Sequence, residues 1–326
     1  MIPNTFGIAA TADRYLEISN DEELQDMLAS QPTGSPLVVG AGSNMVFTRH
    51  YPGTVIHMAN KGIRLIGREG DTLLVEAAAG EVWDHFVQHC IAQGWYGAEN
   101  LVAIPGTVGA APVQNVGAYG CEAKDIIVEV HTREIGTGKQ RIFRNEECQF
   151  GYRNSIFKGS LAGRHIVSSV IFGMQRTFVP NIGYKALGDA LTAQHIERPT
   201  ARQLADTITD VRWSKLPRPE VTGSAGSFFK NPIVSHEHYE RLLSQYPHMV
   251  AHPTGQGMKV AAGWLIEQAG WKGRSLGRCG VYEKQALVLV NRGGCTGQEV
   301  VALAQAIVDD VARLFDITLE PEAIII

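Results

Sequence analysis

The stretch NLVAIPGTVGAAPVQNVGAYG, residues 100–120, contains almost no bulky side chain. Glycine and alanine dominate it, and two amide side chains, Gln114 and Asn115, interrupt them. Because glycine has no Cβ atom, another group can approach its backbone closely, and such a segment suits backbone that lies against a flat, polar, extended ligand. A tightly packed structural loop is the alternative. The length and composition together favour the ligand.

A second glycine loop lies upstream, in PLVVGAGSNMVF, residues 36–47. Gly40 and Gly42 follow a predicted strand, but a dinucleotide fingerprint would need a third glycine and a helix directly afterwards. Position 45 is methionine and a second strand is predicted there, so that fingerprint is absent. Ser43 and Asn44 add short donors to backbone N–H groups that could face a phosphate. A plain β-turn is the alternative, and the loop alone favours it.

The composition is that of a globular protein with room for two or three domains: 326 residues, 44% hydrophobic and 19% charged. The net charge of -4 argues against a nucleic-acid-binding surface, which needs dense Lys and Arg. One local basic cluster, Arg212, Lys215 and Arg218, is either a solvated face or a binding site.

The N-terminus lacks the basic and apolar segments of a secretory signal, and no apolar run is long enough to span a bilayer. We therefore expect a cytoplasmic protein. Five cysteines without a CxxC pair predict reduced thiols rather than disulfides or zinc. His236 and His238 lack the HExxH spacing, so no metal site is predicted.

Hydrophobic periodicity predicts helices that alternate irregularly with many strands, which indicates an α+β fold. Ser19 and Glu22 are read as a capping box, and a second helix is predicted to end at Gly94. A long C-terminal helix is predicted to begin at a Thr296/Glu299 capping box and to bury Val300, Leu303, Ile307, Val311 and Leu314. Changes in the pattern of predicted strands and helices along the chain predict three domains, residues 1–50, 51–197 and 198–326.

The stretch TGSAGSFFKNP, residues 222–232, places Ser227 after two glycines and before two phenylalanines. A serine between small residues is usually a turn residue whose hydroxyl bonds to nearby backbone. A role in proton transfer is the alternative, and the residues alone leave both open.

Several stretches, taken in chain order, match one family. They are NTFGI, GAGSN, NLVAIPGTVGAAPVQNVGAYG, FGYRNSIFK, RWSKLPRP, GSAGSFFKNP, AAGWLIEQAG, QALVLVN and LEPE, and they span nearly the whole chain. The sequence thereby resembles the UDP-N-acetylenolpyruvoylglucosamine reductases. These flavoenzymes make UDP-N-acetylmuramate for peptidoglycan.

The resemblance implies an FAD-binding module of the vanillyl-alcohol-oxidase type, in two subdomains, followed by a separate α+β substrate-binding domain. The FAD diphosphate would lie on the glycine loop at residues 40–44, and Arg212 would lie near an FAD phosphate. Neither glycine loop contains a histidine that could tether the flavin, so noncovalent FAD is expected. The implied cofactor residues are Gly40, Gly42, Ser43, Asn44, Ile104, Pro105, Gly106, Gly109, Gly117 and Arg212.

The family reaction moves a hydride from NADPH to FAD and then to the enolpyruvyl ether of UDP-N-acetylglucosamine enolpyruvate. Ser227 resembles the family's proton donor to carbon. Arg153 matches the arginine that meets the substrate carboxylate, and Glu322 matches the glutamate that polarises this carboxylate with the arginine. From the residues alone, Arg153 and Glu322 could equally form an ordinary salt bridge.

Four further positions match those that hold the UDP-sugar: Tyr184, Lys215, Asn231 and Gln285. Residues 179–191 resemble the subgroup with a mobile tyrosine loop over the substrate. That subgroup commonly continues further beyond the residue that matches Glu322, so we expect the last strand to be less firmly held, with Glu320 as the fallback candidate. No obligate protein partner is evident.

Two other functions use the same flavin fold. An electron-transfer module of a multi-subunit enzyme would not need a third domain with a UDP-sugar lysine. An oxygen-using oxidase would form peroxide with its substrate and would not need NADPH.

Overall fold

The computed structural model describes residues 1–29 and 36–326. Its N-terminal region forms a parallel sheet in the strand order β1-β4-β2. Parallel strands need crossover connections, and the helix α1 follows β1. The elements are β1 (Ala12–Ile18), α1 (Asp21–Ala29), β2 (Leu37–Val39), β3 (Met45–Val46) and β4 (Tyr51–Met58).

The next region is built on a five-stranded antiparallel sheet in the order β10-β9-β11-β6-β5. Gly94, in the left-handed conformation at φ 71°, ends α2 as predicted. The larger elements are β5 (Ile63–Glu69), β6 (Thr72–Ala78), α2 (Trp83–Gln93), α3 (Ala111–Gln114), β7 (Gly117–Ala118), β8 (Cys121–Glu122), β9 (Ile127–Glu134), β10 (Gln140–Arg144), β11 (His165–Gln175), α4 (Lys185–Ala193) and α5 (Ala201–Lys215).

The C-terminal region contains a four-stranded sheet in the order β12-β18-β17-β16 and a three-stranded sheet in the order β13-β15-β14. Its last helix begins at the predicted Thr296/Glu299 capping box. The elements are β12 (Ser224–Ser227), β13 (Ile233–Val234), α6 (His236–Gln245), β14 (Ala251–Thr254), β15 (Gly257–Val260), α7 (Ala262–Gln268), β16 (Ser275–Leu276), β17 (Cys279–Val281), β18 (Val288–Asn291), α8 (Gly297–Phe315) and β19 (Ile324–Ile325).

Both ends of the chain join these regions together. Strand β19 pairs in parallel with β3, so the C-terminus returns to the glycine loop at residues 40–44. Near the N-terminus, Phe6 is buried in the core of the C-terminal region. The Thr5 hydroxyl donates to the Ser224 carbonyl at 2.7 Å, and the Ser224 amide donates to the Thr5 carbonyl at 3.0 Å. Backbone bonds join the last strand to β3, and the expectation that it is less firmly held stays a prediction.

Two details of the predicted helices are wrong. The cap of α1 is Asn20, not Ser19, because the Asn20 Oδ1 accepts the Glu23 amide at 2.9 Å. In α8 Leu314 is 37% exposed, whereas Phe315 is 1% exposed. Phe315 lies four residues after Val311, and that spacing keeps it on the buried face.

The cysteine prediction is wrong for one pair. Cys279 and Cys295 are joined by a disulfide, with Cα atoms 5.6 Å apart, and the bond links β17 to the loop before α8. Cys90, Cys121 and Cys148 are free thiols.

The predicted domain boundaries after residues 50 and 197 stay predictions. Strand β4, just after the first boundary, pairs with β1. Helix α5, just after the second, buries Leu204 and Ile208 in the core of the preceding region. Within the described residues, no helix has the length and apolar character that crossing a membrane requires, and no three His, Cys, Asp or Glu side chains are grouped to hold a metal ion.

Candidate active site

A cavity of about 230 Å³ lies between the glycine-rich loops and the C-terminal region. Strand β12 forms one side of it and the end of α5 another. Of the predicted site residues, the cavity brings together Ser43, Asn44, Ile104, Pro105, Gly106, Gly117, Arg153, Arg212, Ser227 and Glu322. The other predicted residues do not line it.

Three predicted cofactor glycines do not line the cavity but allow close packing beside it: Gly40 against the other loop, Gly42 against the N-terminal segment and Gly109 against Ala79. A Cβ atom on Gly40 would overlap Thr107 Oγ1, and one on Gly109 would lie 2.6 Å from Ala79 Cβ. Gly42 has a left-handed φ of 61°, and a Cβ there would overlap the Pro3 carbonyl oxygen. The Ser43 hydroxyl donates to the Pro105 carbonyl at 3.3 Å and links the loops directly. We call residues 40–44 and 104–117 the glycine wall.

The surroundings of Arg212 indicate whether this cavity suits an anionic group such as a phosphate. It is half-buried, it lines the cavity, and its Nε donates to the uncharged Ala103 carbonyl at 3.2 Å. Among the described residues no carboxylate forms an ion pair with it. Burial lowers the pKa of its guanidinium. A desolvated cation without a carboxylate partner fits a bound phosphate, and the small side chains of the wall fit a flat ring system.

Arg153, from the middle of the chain, and Glu322, from near its C-terminus, face each other in the cavity. Arg153 Nε lies 3.5 Å from Glu322 Oε1, with the two side chains 32% and 15% exposed. Arg153 Nη2 also donates to the Gly117 carbonyl at 2.8 Å. Burial raises the pKa of Glu322, although nearby cations oppose this effect. The pair can bind a carboxylate through the remaining guanidinium donors.

Strand contacts position Glu322 from both sides. Its amide donates to the Phe228 carbonyl at 2.8 Å, and its carbonyl accepts the Asn44 side chain at 3.2 Å. The fallback residue Glu320 is 72% exposed and pairs with Lys230 at 3.0 Å. It does not line the cavity.

Ser227 is the last residue of β12 and is exposed to the cavity. Its backbone is fixed because Ser227 pairs with Val288 and the Phe228 amide donates to the Leu287 carbonyl at 2.8 Å. Its hydroxyl has no hydrogen-bond partner among residues 1–29 and 36–326. The hydrogen bond to nearby backbone that a turn serine would make is therefore not seen. We call Arg153, Ser227 and Glu322 the reactive corner.

The four predicted substrate residues lie outside the cavity lining. Tyr184 caps α4, is exposed, and meets Tyr119 edge-on with ring centroids 5.3 Å apart. Lys215 is exposed at the end of α5. The other two each lie beside the start of α7: Asn231 Oδ1 accepts the Ala262 amide at 2.9 Å, and Gln285 Oε1 would lie 3.0 Å from a Cβ atom on Gly263.

Known proteins resemble this chain over nearly its full length. Residues 12–142 match the model of an FAD binding domain, and residues 218–326 match the model of the UDP-N-acetylenolpyruvoylglucosamine reductase C-terminal domain. The chain is 46% identical to the UDP-N-acetylenolpyruvoylglucosamine reductase of Chromobacterium violaceum, and the match covers 99% of this chain and 96% of the relative. The chain belongs to the UDP-N-acetylenolpyruvoylglucosamine reductase family.

Two other comparisons agree with this family. The UDP-N-acetylenolpyruvoylglucosamine reductase of Pseudomonas putida is 45% identical over 98% of the chain and 95% of the relative. A crystal structure of UDP-N-acetylenolpyruvylglucosamine reductase from Thermus caldophilus shares the fold, with a TM-score of 0.69 at 24% identity, over 99% of this chain and 95% of that one. The expected fold class, an FAD-binding module of the vanillyl-alcohol-oxidase type followed by an α+β substrate-binding domain, is confirmed.

Sequence reasoning missed two residues beside the reductase family's matched positions. Tyr119 lies between Arg212 and Tyr184, and burial raises the pKa of its hydroxyl. Lys158 is half-buried next to Arg153, and its Nζ donates to the Arg153 carbonyl at 3.2 Å. Both lie inside stretches that carry the resemblance, NLVAIPGTVGAAPVQNVGAYG and FGYRNSIFK. Their closeness in sequence to the matched residues is the signal that could have identified them.

Proposed function

We propose that this protein uses NADPH and FAD to reduce the enolpyruvyl ether of UDP-N-acetylglucosamine enolpyruvate to UDP-N-acetylmuramate, a peptidoglycan precursor. Family membership supports the reaction class. The observation that carries the assignment to this chain is that Ser227, Arg153 and Glu322 line the same cavity as the glycine wall.

The glycine wall and Arg212 are proposed to hold FAD. Ser43 and Asn44 would face its diphosphate, Arg212 would balance a phosphate charge, and the backbone of residues 104–117 would lie along the ring system. No described residue of the cavity lining is a histidine or cysteine, which supports noncovalent binding. Bound FAD supplies the hydride-carrying centre between NADPH and the substrate.

The reactive corner is proposed to act on the enolpyruvyl group. Hydride addition at the terminal carbon places negative charge on the adjacent carbon and its carboxylate. Arg153 would bind that carboxylate with its planar fork, and Glu322 would orient Arg153 through their 3.5 Å contact. Ser227 Oγ would give its proton to the carbon that carries the carboxylate, which completes reduction of the double bond. Phe228 and Phe229, which follow Ser227 directly, are buried and anchor the end of β12 in the core.

The UDP portion is proposed to lie outside the cavity, against Lys215 and Tyr184 and the amide side chains of Asn231 and Gln285. The exposed ammonium of Lys215 suits a diphosphate, and Tyr184 at the start of α4 suits a covering contact. We also propose a cytoplasmic location, where both NADPH and UDP-sugars are available, with no nucleic acid and no obligate protein partner.

An anaerobic half-reaction experiment tests this function. NADPH should bleach the flavin absorbance of the purified protein, and the enolpyruvyl substrate should then restore it with formation of UDP-N-acetylmuramate. An electron-transfer module would not be reoxidised by that substrate. An oxidase would be reduced by its own substrate and reoxidised by oxygen with formation of peroxide. Reduced flavin that stays reduced after the enolpyruvyl substrate is added would refute the proposal.

A further inference from the structure

Lys158 is a half-buried lysine that the proposed chemistry does not yet use. It follows Ser155 in a tight turn, in which the Lys158 amide donates to the Ser155 carbonyl at 3.1 Å. Its Nζ donates to the Arg153 carbonyl at 3.2 Å. No carboxylate of the described residues lies within ion-pair distance of it, and burial lowers the pKa of its ammonium group. Removing this cation from water is costly, and a neutral residue would avoid that cost.

The Arg153 backbone needs an external restraint. Its φ of 53° lies in the left-handed region, where residues other than glycine are strained. Gly151 and Asn154 enclose it in a turn with reciprocal backbone bonds of 2.9 and 3.1 Å. The Arg153 carbonyl takes no part in this pair of bonds and accepts from Lys158 Nζ at 3.2 Å. Lys158 therefore fixes the backbone from which the guanidinium reaches the cavity.

Glu322 needs positive charge around it because its side chain is mostly buried. Arg153, Lys158 and Lys230 are the cations that lower its pKa against the effect of burial. Lys230 is 56% exposed and is already paired with Glu320, so solvent screens much of its field. Arg153 and Lys158 are the two cations that lie out of full solvent.

We infer that Lys158 is a positioning residue for the Arg153–Glu322 pair, in which one ammonium group both fixes the Arg153 backbone and supplies charge to Glu322. The inference rests on the proposed function, since it concerns the groups that would meet the substrate carboxylate. The two roles of Lys158 are separable, because one depends on a hydrogen-bond donor and the other on a charge.

Three variants separate these roles. Lys158→Met removes both donor and charge, Lys158→Gln keeps a donor without charge, and Lys158→Arg keeps both. We expect Lys158→Met to slow reoxidation of the reduced flavin by the enolpyruvyl substrate roughly 10-fold, the lower end for losing a hydrogen bond to a charged group. Lys158→Gln should lose less, and Lys158→Arg should stay closest to the wild-type rate. The step in which NADPH reduces the flavin should be unchanged in all three.

A carboxyl titration provides a readout that needs no turnover. The FAD-loaded protein is labelled with carboxyl-¹³C glutamate, and the Glu322 resonance is assigned by its loss in Glu322→Gln. Loss of a nearby cation raises the pKa of a carboxylate, so Glu322 should take up its proton at higher pH in Lys158→Met and Lys158→Gln, but not in Lys158→Arg. Lys230→Met is the matched control and should shift the titration less.

The outcomes distinguish this inference from the proposed function. If the wild-type protein fails to reduce the enolpyruvyl substrate, the proposed function fails, while the titration still tests Lys158. If Glu322 titrates identically in wild-type, Lys158→Met and Lys158→Gln, the positioning role is refuted. A rate loss shared equally by Lys158→Arg would also refute it, because a change in packing alone would then explain the effect. Flavin content and thermal melting identify any variant that is misfolded.

Discussion

The glycine wall and the reactive corner border the same cavity but are built in opposite ways. The wall consists of backbone from two loops of the FAD-binding region, and its shape depends on missing side chains: Gly40 has no Cβ to overlap Thr107. The corner consists of side chains from three separate segments, and Glu322 reaches it through the pairing of β19 with β3 and the bond from its amide to the Phe228 carbonyl. Adding an atom to the backbone wall should disturb its shape, whereas removing a functional group from the corner should impair its chemistry.

The two parts also differ in how their polar groups are satisfied. In the wall, Ser43 donates to Pro105, so its polar groups partly satisfy one another. In the corner, the Ser227 hydroxyl has no partner in the described part of the chain, and the Arg153–Glu322 contact leaves guanidinium donors facing the cavity. Unsatisfied groups of this kind are expected where a substrate completes the hydrogen bonds. The corner should therefore affect the chemical step most strongly, and the wall should affect cofactor retention.

The largest expected effect is that of Ser227→Ala. Flavin content, folding and reduction by NADPH should stay nearly unchanged, because none of them uses the hydroxyl. Reoxidation by the enolpyruvyl substrate should slow by at least roughly 10²-fold, the lower end for losing a positioned acid. Rapid mixing of prereduced protein with the substrate measures this step by itself.

Ser227→Cys is the matched variant, since a thiol also donates a proton from nearly the same place, and it should restore part of the rate. A wild-type reoxidation rate in Ser227→Ala would exclude the proton-donor role. A loss of flavin or of thermal stability, with normal turnover per flavin-loaded molecule, would instead assign Ser227 to the structure of β12.

Lys215→Ala should give the next largest effect, because the exposed ammonium at the end of α5 is proposed to meet the UDP diphosphate. Loss of a hydrogen bond to a charged group costs about 1.5–3 kcal/mol, so substrate affinity should fall roughly 10- to 100-fold. NADPH should still reduce the flavin. Lys139→Ala, at another exposed lysine between β9 and β10, is the control and should bind normally. Normal substrate affinity with impaired reduction by NADPH would overturn the assignment.

The glycine wall is tested by adding one carbon atom. Gly40→Ala would force its Cβ against Thr107, and overpacking of this kind typically costs about 1–3 kcal/mol. Thermal stability and retained FAD should both fall. Thr107→Ala should restore part of the loss in the double variant, because it removes the overlapping Oγ1. Gly255→Ala, where a Cβ would meet nothing within 4 Å, should be neutral. If Gly40→Ala matches Gly255→Ala, the wall does not depend on close loop contact.

Local features of this fold could be predicted from the sequence because their causes are local. The Thr296/Glu299 capping box and the glycine end of α2 each depend on a few adjacent residues, and both predictions are confirmed. The errors arise where two local solutions are nearly equivalent. Asn20 with Glu23 is as good a cap as Ser19 with Glu22, and the choice between them depends on where α1 meets its neighbours.

Long-range contacts could not be predicted from periodicity or spacing. The Cys279–Cys295 bond depends on where β17 lies relative to α8. Gly40, Gly42 and Gly109 allow close contact with other parts of the protein, and glycine content shows that a close approach occurs without showing which group approaches. Their role in binding the cofactor stays a prediction. Arg153, Ser227 and Glu322 were predicted through family resemblance alone. Long-range contacts bring them together, since the Glu322 amide donates to the Phe228 carbonyl next to Ser227 and Arg153 Nε lies 3.5 Å from Glu322 Oε1.

The smallest expected effect concerns the pH dependence of stability, and it tests whether burial or the Arg153 charge dominates at Glu322. Burial raises the pKa of this carboxyl in the folded protein above its unfolded value. The folded state then holds the proton more tightly, so this contribution to stability is fully present below the unfolded pKa and is lost as pH rises through the folded pKa. Glu322→Gln cannot titrate and is the reference. The free energy of unfolding of the wild type, minus that of Glu322→Gln, should therefore decrease from acid towards neutral pH in urea titrations. An increase over the same range would mean that Arg153 outweighs burial and that the corner holds Glu322 as a firmly ionised partner.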